Sequence, residues 1–130
     1  MNETKRYFLK PEDRLKSRKS IDELFANGKS FSNFPFRILW KSVDADIGLK
    51  AGFTVSSKKF KKGTDRNRIK RLMRESYRLQ KNELQVFVEK TGKNLHLFFV
   101  FTGKEIPDYD FVYEKTGTVL NRILKLLNAV

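Results

Sequence analysis

Residues 64 to 78 read T-D-R-N-R-I-K-R-L-M-R-E-S-Y-R and combine an apolar stripe with a dense set of cations. At about 100° per residue, one side of a helix collects Ile69, Leu72, Met73, Ser76 and Tyr77. Beside that side, at i, i+4 spacing, runs a row made of Arg66, Lys70, Arg74 and Arg78. Thr64 or Asp65 can serve as the N-cap after Gly63, so the stretch predicts an amphipathic helix packed on a core.

The cationic row of this helix indicates an anionic partner. Like charges at i, i+4 repel by ~0.2–0.5 kcal/mol per pair, a cost that a purely structural helix has no reason to carry. Asn67 and Arg71 flank the row, and the amide of Asn67 can both donate and accept hydrogen bonds toward ribose or base edges. Arg71 is also spaced to pair with Glu75 at i, i+4. The helix therefore predicts a phosphate-binding surface.

The charge of the whole chain supports this interpretation. The 130 residues contain 28 Lys and Arg against 15 Asp and Glu, which gives a net charge of +13. Eleven cations and two carboxylates lie between Lys58 and Lys81, so +9 of that charge falls within 24 residues. Nucleic acid is the leading partner. An anionic membrane surface is the weaker alternative, because the apolar stripe of the helix is needed for packing.

Length and composition favour a single cytoplasmic domain spanning residues 1–130. The chain contains no cysteine, which excludes a disulfide framework and a thiolate metal site. The N-terminus, M-N-E-T-K-R-Y-F, lacks the apolar core of a signal peptide, and no segment approaches the ~18 apolar residues of a membrane span. We expect residues 1–19, which are polar and basic, to form a flexible arm.

Before the basic helix, the sequence predicts one short helix and two strands. Ser20 and Glu23 have the spacing of a capping box for a helix from Ile21 to Ala26. Phe34 to Lys41 alternates between two sets of side chains, as a strand does, and Lys50 to Ser56 predicts a second strand. The intervening D-A-D and glycine favour a turn, so we expect these two strands to pair as a β-hairpin.

After the basic helix, residues 83–92 are ambiguous between a helical continuation and a packed loop. Leu95 to Phe101, L-H-L-F-F-V-F, is almost continuously apolar and predicts a central strand covered on both faces. From Asp110 a last helix carries an apolar stripe of Val112, Thr116, Val119, Leu120, Ile123, Leu124 and Leu127. The elements predict an α+β fold: a two-layer α/β sandwich with a roughly four-stranded mixed sheet and three helices, largely on one face. The basic helix connects two strands that could be parallel neighbours.

Candidate catalytic groups are sparse, so no catalytic residue is assigned. His96 is the only histidine and lies inside an apolar strand, which is typical of a core residue. The carboxylates are dispersed and lack the fixed spacing of a two-metal site. If this protein takes part in RNA cleavage, a partner must supply the chemistry.

Two further segments are candidates for RNA contact. Phe25 and Ile21 lie on a short helix with few neighbours, and we expect them to line an RNA groove. Ser56, Lys58 and Lys59 follow a strand and precede the basic helix, where they could form a phosphate cradle. The structural alternative is that the lysines are simply part of a solvated surface.

The string R-N-R-I-K-R-L-M-R-E at 66–75 resembles the R-N-R-x-K-R helix that is the hallmark of the bacterial ribonuclease P protein family. Further matches follow in the expected order: R-L-K at 14–16, I-D-E-L-F-x-x-G at 21–28, G-F-T-V-S-S-K-K at 52–59 and R-E-S-Y-R at 74–78. The ten-residue string together with the strand and lysines before it is a strong signal, whereas a lone R-N-R would be weak.

The resemblance implies the protein subunit of a ribonucleoprotein endonuclease that removes the 5′ leader from precursor tRNA. The expected partners are ribonuclease P RNA and precursor tRNA, with no membrane and no required protein partner. In that family the RNA subunit carries the magnesium-dependent catalysis. The resemblance also implies that the basic helix joins two parallel strands by a left-handed crossover, although the general rule is right-handed.

The resemblance assigns the site residues to two groups. Contact with the catalytic RNA, or organisation of nearby metal ions, is implied for Arg66, Asn67, Arg68, Lys70, Arg71 and Arg74, and we include Arg78 from the same helix. Leader binding is implied for Ile21, Phe25, Ser56, Lys58, Lys59 and Trp40. An aromatic residue that the family often has on its first strand corresponds to Leu39 or Trp40.

Two rival functions rest on the same basic helix. A ribosome-associated RNA-binding protein without enzymatic activity would need the same phosphate-binding face. A DNA-binding protein is less well supported, because no helix-turn-helix partner places the helix in a major groove.

Overall fold

A computed structural model describes residues 11–43 and 48–128. In chain order it contains a 3-10 turn (Pro11–Asp13), α1 (Arg18–Asn27), β1 (Lys29–Asn33), β2 (Phe36–Val43), β3 (Leu49–Val55), α2 (Gly63–Gln80), α3 (Asn82–Thr91), β4 (Asn94–Phe101) and α4 (Tyr109–Asn128). The predicted α+β class with a four-stranded mixed sheet is confirmed. The described residues form four α-helices instead of three, because residues 83–92 continue as the separate helix α3.

The strand order is β1-β2-β4-β3, so β4 is central as predicted. The predicted hairpin between β2 and β3 is wrong: β2 pairs antiparallel with β1 and β4, and β3 pairs parallel with β4. The physical reason is that β4 is apolar on both faces and therefore occupies the covered position between β2 and β3. The Asp44–Asp46 turn of the predicted hairpin lies outside the described residues.

The segment of α2 and α3 connects the parallel strands β3 and β4, which confirms that the basic helix lies in a parallel crossover. The left-handed sense of this crossover remains a prediction.

One face of the sheet, the core face, carries Phe36, Ile38, Trp40 and Phe99 and is covered by α2 and α4. The predicted stripe of α2 packs here, with Ile69, Met73, Ser76 and Tyr77 buried and Leu72 half-buried. The stripe of α4 is confirmed as well: its members are buried apart from the half-buried Leu124. This face holds most of the hydrophobic core.

The opposite face, here called the open face, is only partly covered. Strand register places Arg37, Leu39 and Lys41 of β2 on it, beside Val100, Phe98 and His96 of β4 and Thr54, Gly52 and Lys50 of β3. Helix α1 covers its middle, where Leu24 packs with Leu15, Leu39 and Phe98. Gly52 makes room for this packing, since a Cβ there would lie 2.4 Å from the Phe98 ring.

The start of α1 differs from the prediction. The N-cap is Ser17, whose Oγ accepts a 3.2 Å hydrogen bond from the Ser20 amide, so Ser20 lies within the helix. Glu23 does not close a capping box; its carboxylate accepts hydrogen bonds from Asn27 (2.9 Å) and Lys41 (2.6 Å). The second bond ties α1 to β2.

The description of residues 1–19 as a flexible arm is wrong for its second half. Leu15 is buried against α1, and its amide donates a 2.9 Å hydrogen bond to the Ala51 carbonyl. Arg14 forms an isolated parallel bridge with Ala51, which extends the sheet beyond the edge of β3. The first half of the predicted arm, residues 1–10, lies outside the described residues.

Helix α2 begins earlier than predicted, and neither Thr64 nor Asp65 is its N-cap. Gly63 is the first helical residue and Lys62 occupies the cap position without a side-chain capping bond. The Arg66 guanidinium organises this start instead, since Nη1 donates to the carbonyls of Phe60 (2.7 Å) and Lys61 (2.9 Å). Within the described ranges, no helix is both long and apolar enough to cross a membrane.

Candidate nucleic-acid interface

The outer face of α2 presents the predicted polar surface. Asn67, Arg68 and Arg71 are exposed, while Lys70 and Arg74 are half-buried along the border with the sheet. This follows from the helical period, because the buried residues Ile69, Met73 and Tyr77 fix the opposite side against the core. These five polar residues can reach a phosphate backbone from one helix.

Other cations of the same segment have structural contacts. Arg66 is bound to the two carbonyls that precede α2. Arg78 forms an ion pair with Glu75, so the predicted pairing of Glu75 with Arg71 is wrong and Arg71 stays exposed. Lys81 is buried, and its Nζ donates to Oε1 of Gln85 at 2.6 Å. The cation count between Lys58 and Lys81 therefore overstates the charge offered to a partner.

The charges of Arg14, Arg71 and Arg74 influence one another near the outer edge of β3, on which α2 packs. The pKa of Arg74 is lowered from its ordinary value, first because the group is partly withdrawn from water and then because Arg14 and Arg71 are close. Arg14 is held there by its bridge to Ala51. An anion bound among the three side chains would relieve their repulsion, which makes this cluster the strongest candidate for a phosphate site.

Part of the open face beside α1 is left uncovered, and this strip is here called the groove. Phe25 of α1 is 46% exposed, and its ring packs edge-on against Phe98 with centroids 5.3 Å apart. Ile21, one turn earlier, is half-buried against the same cluster. The sheet next to them is not covered by α1 and presents the exposed side chain of Arg37. The groove thus combines an accessible aromatic ring with a cation.

The connector between β3 and α2 lies at the end of β4, where Phe60 packs on Phe101. Ser56 Oγ accepts a 3.2 Å hydrogen bond from the Lys58 amide, which turns the chain and leaves the Lys58 side chain exposed. Lys59 Nζ donates to the Thr102 carbonyl at 2.9 Å, so it links the connector to the end of β4. The predicted members of a phosphate cradle are therefore close together, with Lys58 the more available cation.

Comparison with known proteins settles the family. A model of the family described as Ribonuclease P matches residues 9–123. The chain belongs to the ribonuclease P protein family. A ribonuclease P protein component from Porphyromonas gingivalis is 31% identical over 117 residues, which cover 88% of this chain and 85% of the relative. One from Dictyoglomus turgidum is 32% identical over 123 residues, covering 85% and 94%.

The fold agrees with this family. The solved structure of the ribonuclease P protein from Thermotoga maritima superposes with a TM-score of 0.64 at 27% identity, covering 84% of this chain and 96% of that one. As a family member, the chain is a protein component of ribonuclease P, a tRNA-processing ribonucleoprotein, and it works together with an RNA subunit. The resemblance carried by the R-N-R-I-K-R helix is thereby confirmed.

Trp40 does not lie in the groove of this ribonuclease P protein, which corrects its inclusion among the leader-binding residues. It is 6% exposed on the core face, opposite to Phe25, with Lys29 Nζ 5.1 Å from its ring centroid. Leu39 does face α1 but is buried beneath it. Alternation along β2 explains both placements, because neighbouring residues point to opposite faces.

Sequence reasoning missed two cations of the site, Arg14 and Arg37. Arg14 belongs to the R-L-K match. Because residues 1–19 were expected to form a flexible arm, the sequence did not indicate that Arg14 lies near Arg74 of α2. The alternation of β2 puts Arg37 on the other face of the sheet from Phe36 and Ile38. This pattern was the signal that could have identified Arg37 as a candidate.

Candidate metal ligands are sparse among the described side chains. Within residues 11–43 and 48–128, no group of three or more His, Asp or Glu side chains is placed to hold a metal ion. His96 is buried beneath α1 at the floor of a cavity of about 290 Å³, flanked in register by Lys41 and Lys50. No metal ligand is assigned to this chain.

Proposed function

We propose that this ribonuclease P protein binds two RNAs on adjoining surfaces. The outer face of α2, with Asn67, Arg68, Lys70, Arg71 and Arg74, binds ribonuclease P RNA. The groove between α1 and the open face, with Phe25, Ile21 and Arg37, binds the single-stranded 5′ leader of precursor tRNA, and Ser56, Lys58 and Lys59 border it. The activity is the endonucleolytic removal of that leader in the cytoplasm.

The observation that carries the proposal is that exposed arginines lie near the outer edge of β3: Arg71 on α2, which packs on this strand, and Arg14, which bridges to Ala51 of the strand. That edge separates α2 from the open face, so cations on one side are close to the groove on the other. Two phosphate backbones brought together there would otherwise repel each other. Guanidinium groups between them lower that repulsion and hold the leader next to the RNA subunit.

The protein contributes binding and orientation in this proposal, and the RNA subunit carries the catalysis. Phe25 offers a ring face for an unpaired base, which tolerates different leader sequences because every base can stack. The exposed arginines of α2 contact phosphates and set the register of the two RNAs. Magnesium is placed on the RNA partner, and no protein side chain is given a role in holding it.

The test is reconstitution with a bacterial ribonuclease P RNA. We expect the protein to restore cleavage of precursor tRNA at a magnesium concentration where the RNA alone is inactive. Arg68→Ala and Arg71→Ala should each weaken binding to that RNA and reduce the logarithmic salt slope by roughly 0.7 to 0.9 per lost phosphate contact. Failure of the wild-type protein to restore cleavage would contradict the proposal.

Arg122→Ala provides the matched control. Arg122 is an exposed arginine of α4 whose guanidinium stacks on Phe31 at 4.2 Å, away from the α2 surface. Its removal takes away the same charge, and we expect RNA affinity and salt slope to change much less than with Arg68→Ala. Equal effects would mean that net charge alone, without a localised site, drives binding.

A further inference from the structure

An exposed aromatic pair lies beyond the end of the sheet, outside the groove described above. Phe34, in the turn between β1 and β2, is 66% exposed. Its ring packs edge-on against Phe111 of α4, with centroids 6.3 Å apart. Both rings flank a cavity of about 500 Å³ that is also lined by Pro35, Phe101 and Ile106. Much of the Phe34 side chain is therefore available for a further contact.

The rim of this cavity is basic on the side of the connector. Lys59 Nζ is bonded to the carbonyl of Thr102, which lines the cavity, and Lys104 lines it directly. The connector itself packs against the cavity floor, since the Phe60 ring lies 6.0 Å from that of Phe101. Residues 56–62 contain four lysines and no acid. This side of the cavity therefore complements a phosphate backbone.

Two carboxylates also line the cavity, and one of them is already engaged. Asp108 Oδ1 accepts a 2.9 Å hydrogen bond from the Phe111 amide and so caps the start of α4. Glu105 is exposed and directly follows Lys104 in the sequence. The basic side of the cavity is therefore the one formed by the connector.

Strand register gives the position of the pair relative to the proposed leader groove. The Arg14 bridge lies at Ala51, which is level with Leu97, and Phe25 packs on Phe98. Phe34 lies beyond Phe101, which is ~10 Å further along β4 at about 3.3 Å per residue. Phe34 therefore lies at the end of the sheet, and its partner Phe111 belongs to α4 on the core-face side. A leader that passes Phe25 on the open face would reach Phe34 where it rounds this end of the sheet.

We propose that Phe34 and Phe111 form a second stacking site for an unpaired nucleobase, supplied by a leader nucleotide further from the cleavage site than those at Phe25. The ring of Phe34 stacks on the base, Phe111 supports that ring from the side, and Lys104 contacts the adjoining phosphate. This site rests on the proposed function, since it extends the same leader path. It makes the protein sensitive to leader length.

The experiment uses the holoenzyme reconstituted with ribonuclease P RNA and precursor tRNAs whose leaders are lengthened one nucleotide at a time. Phe34→Leu removes the ring but keeps an apolar side chain, and Phe34→Tyr keeps the ring. We expect Phe34→Leu to weaken binding of long-leader precursors by about 5-fold or more, with short-leader precursors and mature tRNA unaffected. Phe34→Tyr should bind like the wild type.

A fluorescent base identifies the contacted nucleotide. 2-Aminopurine placed along the leader should be quenched by stacking at one distal position in the wild-type complex, and that quenching should be lost with Phe34→Leu. Tyr113→Leu is the matched control, because Tyr113 is an exposed aromatic residue (39%) of α4 that does not line the cavity. Equal thermal melting of all variants shows that they fold.

Three outcomes would overturn this second site. One is an equal loss for short and long leaders. Another is a loss of affinity for ribonuclease P RNA in the absence of precursor, which would assign the rings to the RNA subunit. The third is no change with Phe34→Leu. If Arg68→Ala still weakens RNA binding in the same assays, the proposed function stands while the second site fails.

Discussion

The two faces of the sheet are built from alternating residues of the same strands but have different roles. On the core face, Phe36, Ile38 and Phe99 are almost completely buried under α2 and α4. On the open face, α1 covers only the middle, so that Phe25 and Arg37 remain accessible. Apolar burial on the core face therefore supplies most of the stabilisation. The open face leaves side chains accessible for binding.

The same division occurs within α2. Its inner side contributes Ile69, Met73 and Tyr77 to the core, and burial raises the pKa of the Tyr77 phenol far above its ordinary value. Its outer side presents Arg68 and Arg71 to solvent. One helix thus connects the stable face of the molecule with the surface proposed to bind RNA.

The largest expected effect comes from a large-to-small substitution on the core face. Phe99 packs against Phe36, Phe53 and Tyr77, with ring centroids 5.6, 5.3 and 5.8 Å away. Phe99→Ala should lower the free energy of unfolding by about 3–5 kcal/mol, because it leaves a cavity among these rings. Urea denaturation measures this loss. A loss below 1 kcal/mol would contradict the assignment of stability to this face.

Phe25→Ala is the matching change on the open face, and it should affect binding more than stability. Loss of base stacking is worth ~1–3 kcal/mol, so precursor tRNA should bind about 5-fold or more weakly to the reconstituted holoenzyme. Mature tRNA, which has no leader, should bind as before. An equal loss for precursor and mature tRNA would remove Phe25 from the leader groove.

A change beneath the groove tests whether its shape depends on the sheet. Gly52→Ala would place a Cβ 2.4 Å from the Phe98 ring, which must then move away from its contact with Phe25. We expect a loss of about 1–3 kcal/mol in the free energy of unfolding, typical of overpacking, together with weaker precursor binding. Gly63→Ala is the control, because a Cβ there meets only Arg66 at an ordinary 3.5 Å. Equal destabilisation by both changes would contradict the close fit at Gly52.

Much of this arrangement could be predicted from local sequence patterns. The stripe of α2 follows from helical periodicity, and the central position of β4 follows from its almost continuous apolar run. The expectation for Phe25 followed from the shortness of its helix, which leaves few neighbours to cover the ring. The order of the strands could not be predicted in the same way, because it depends on which strands pair with the two edges of β4. The adjacent positions of β2 and β3 in the sequence suggested a hairpin that the sheet does not contain.

The site was predicted less completely than the fold, for the same reason. Residue type identified Arg66 as a cation, but only the tertiary structure shows that it binds the carbonyls before α2. Conversely, Arg14 gains its position from a bridge to Ala51, 37 positions further along the chain. Long-range contacts of this kind decide which cations remain available for RNA.

The smallest expected effect concerns the bond that holds α1 over the open face. The pKa of Glu23 lies below its ordinary value of 4.5, chiefly because its carboxylate accepts a hydrogen bond from Lys41, with a further contribution from Asn27. A carboxyl whose pKa is depressed in the folded state stabilises that state above the unfolded pKa. This contribution is lost as the pH falls through the folded value.

We therefore expect the free energy of unfolding at neutral pH to be slightly larger for the wild-type protein than for the Glu23→Gln variant. This difference should shrink once the pH falls below 4.5. Urea denaturation of both proteins across this range measures the difference. Asp22→Gln is the control, since the Asp22 carboxylate lies on the same helix but contacts only Arg18, at 3.6 Å and in an exposed position. A difference that stays constant into acid would mean that the bond between Glu23 and Lys41 does not hold α1 to β2, and that the groove depends on the packing of Leu24 alone.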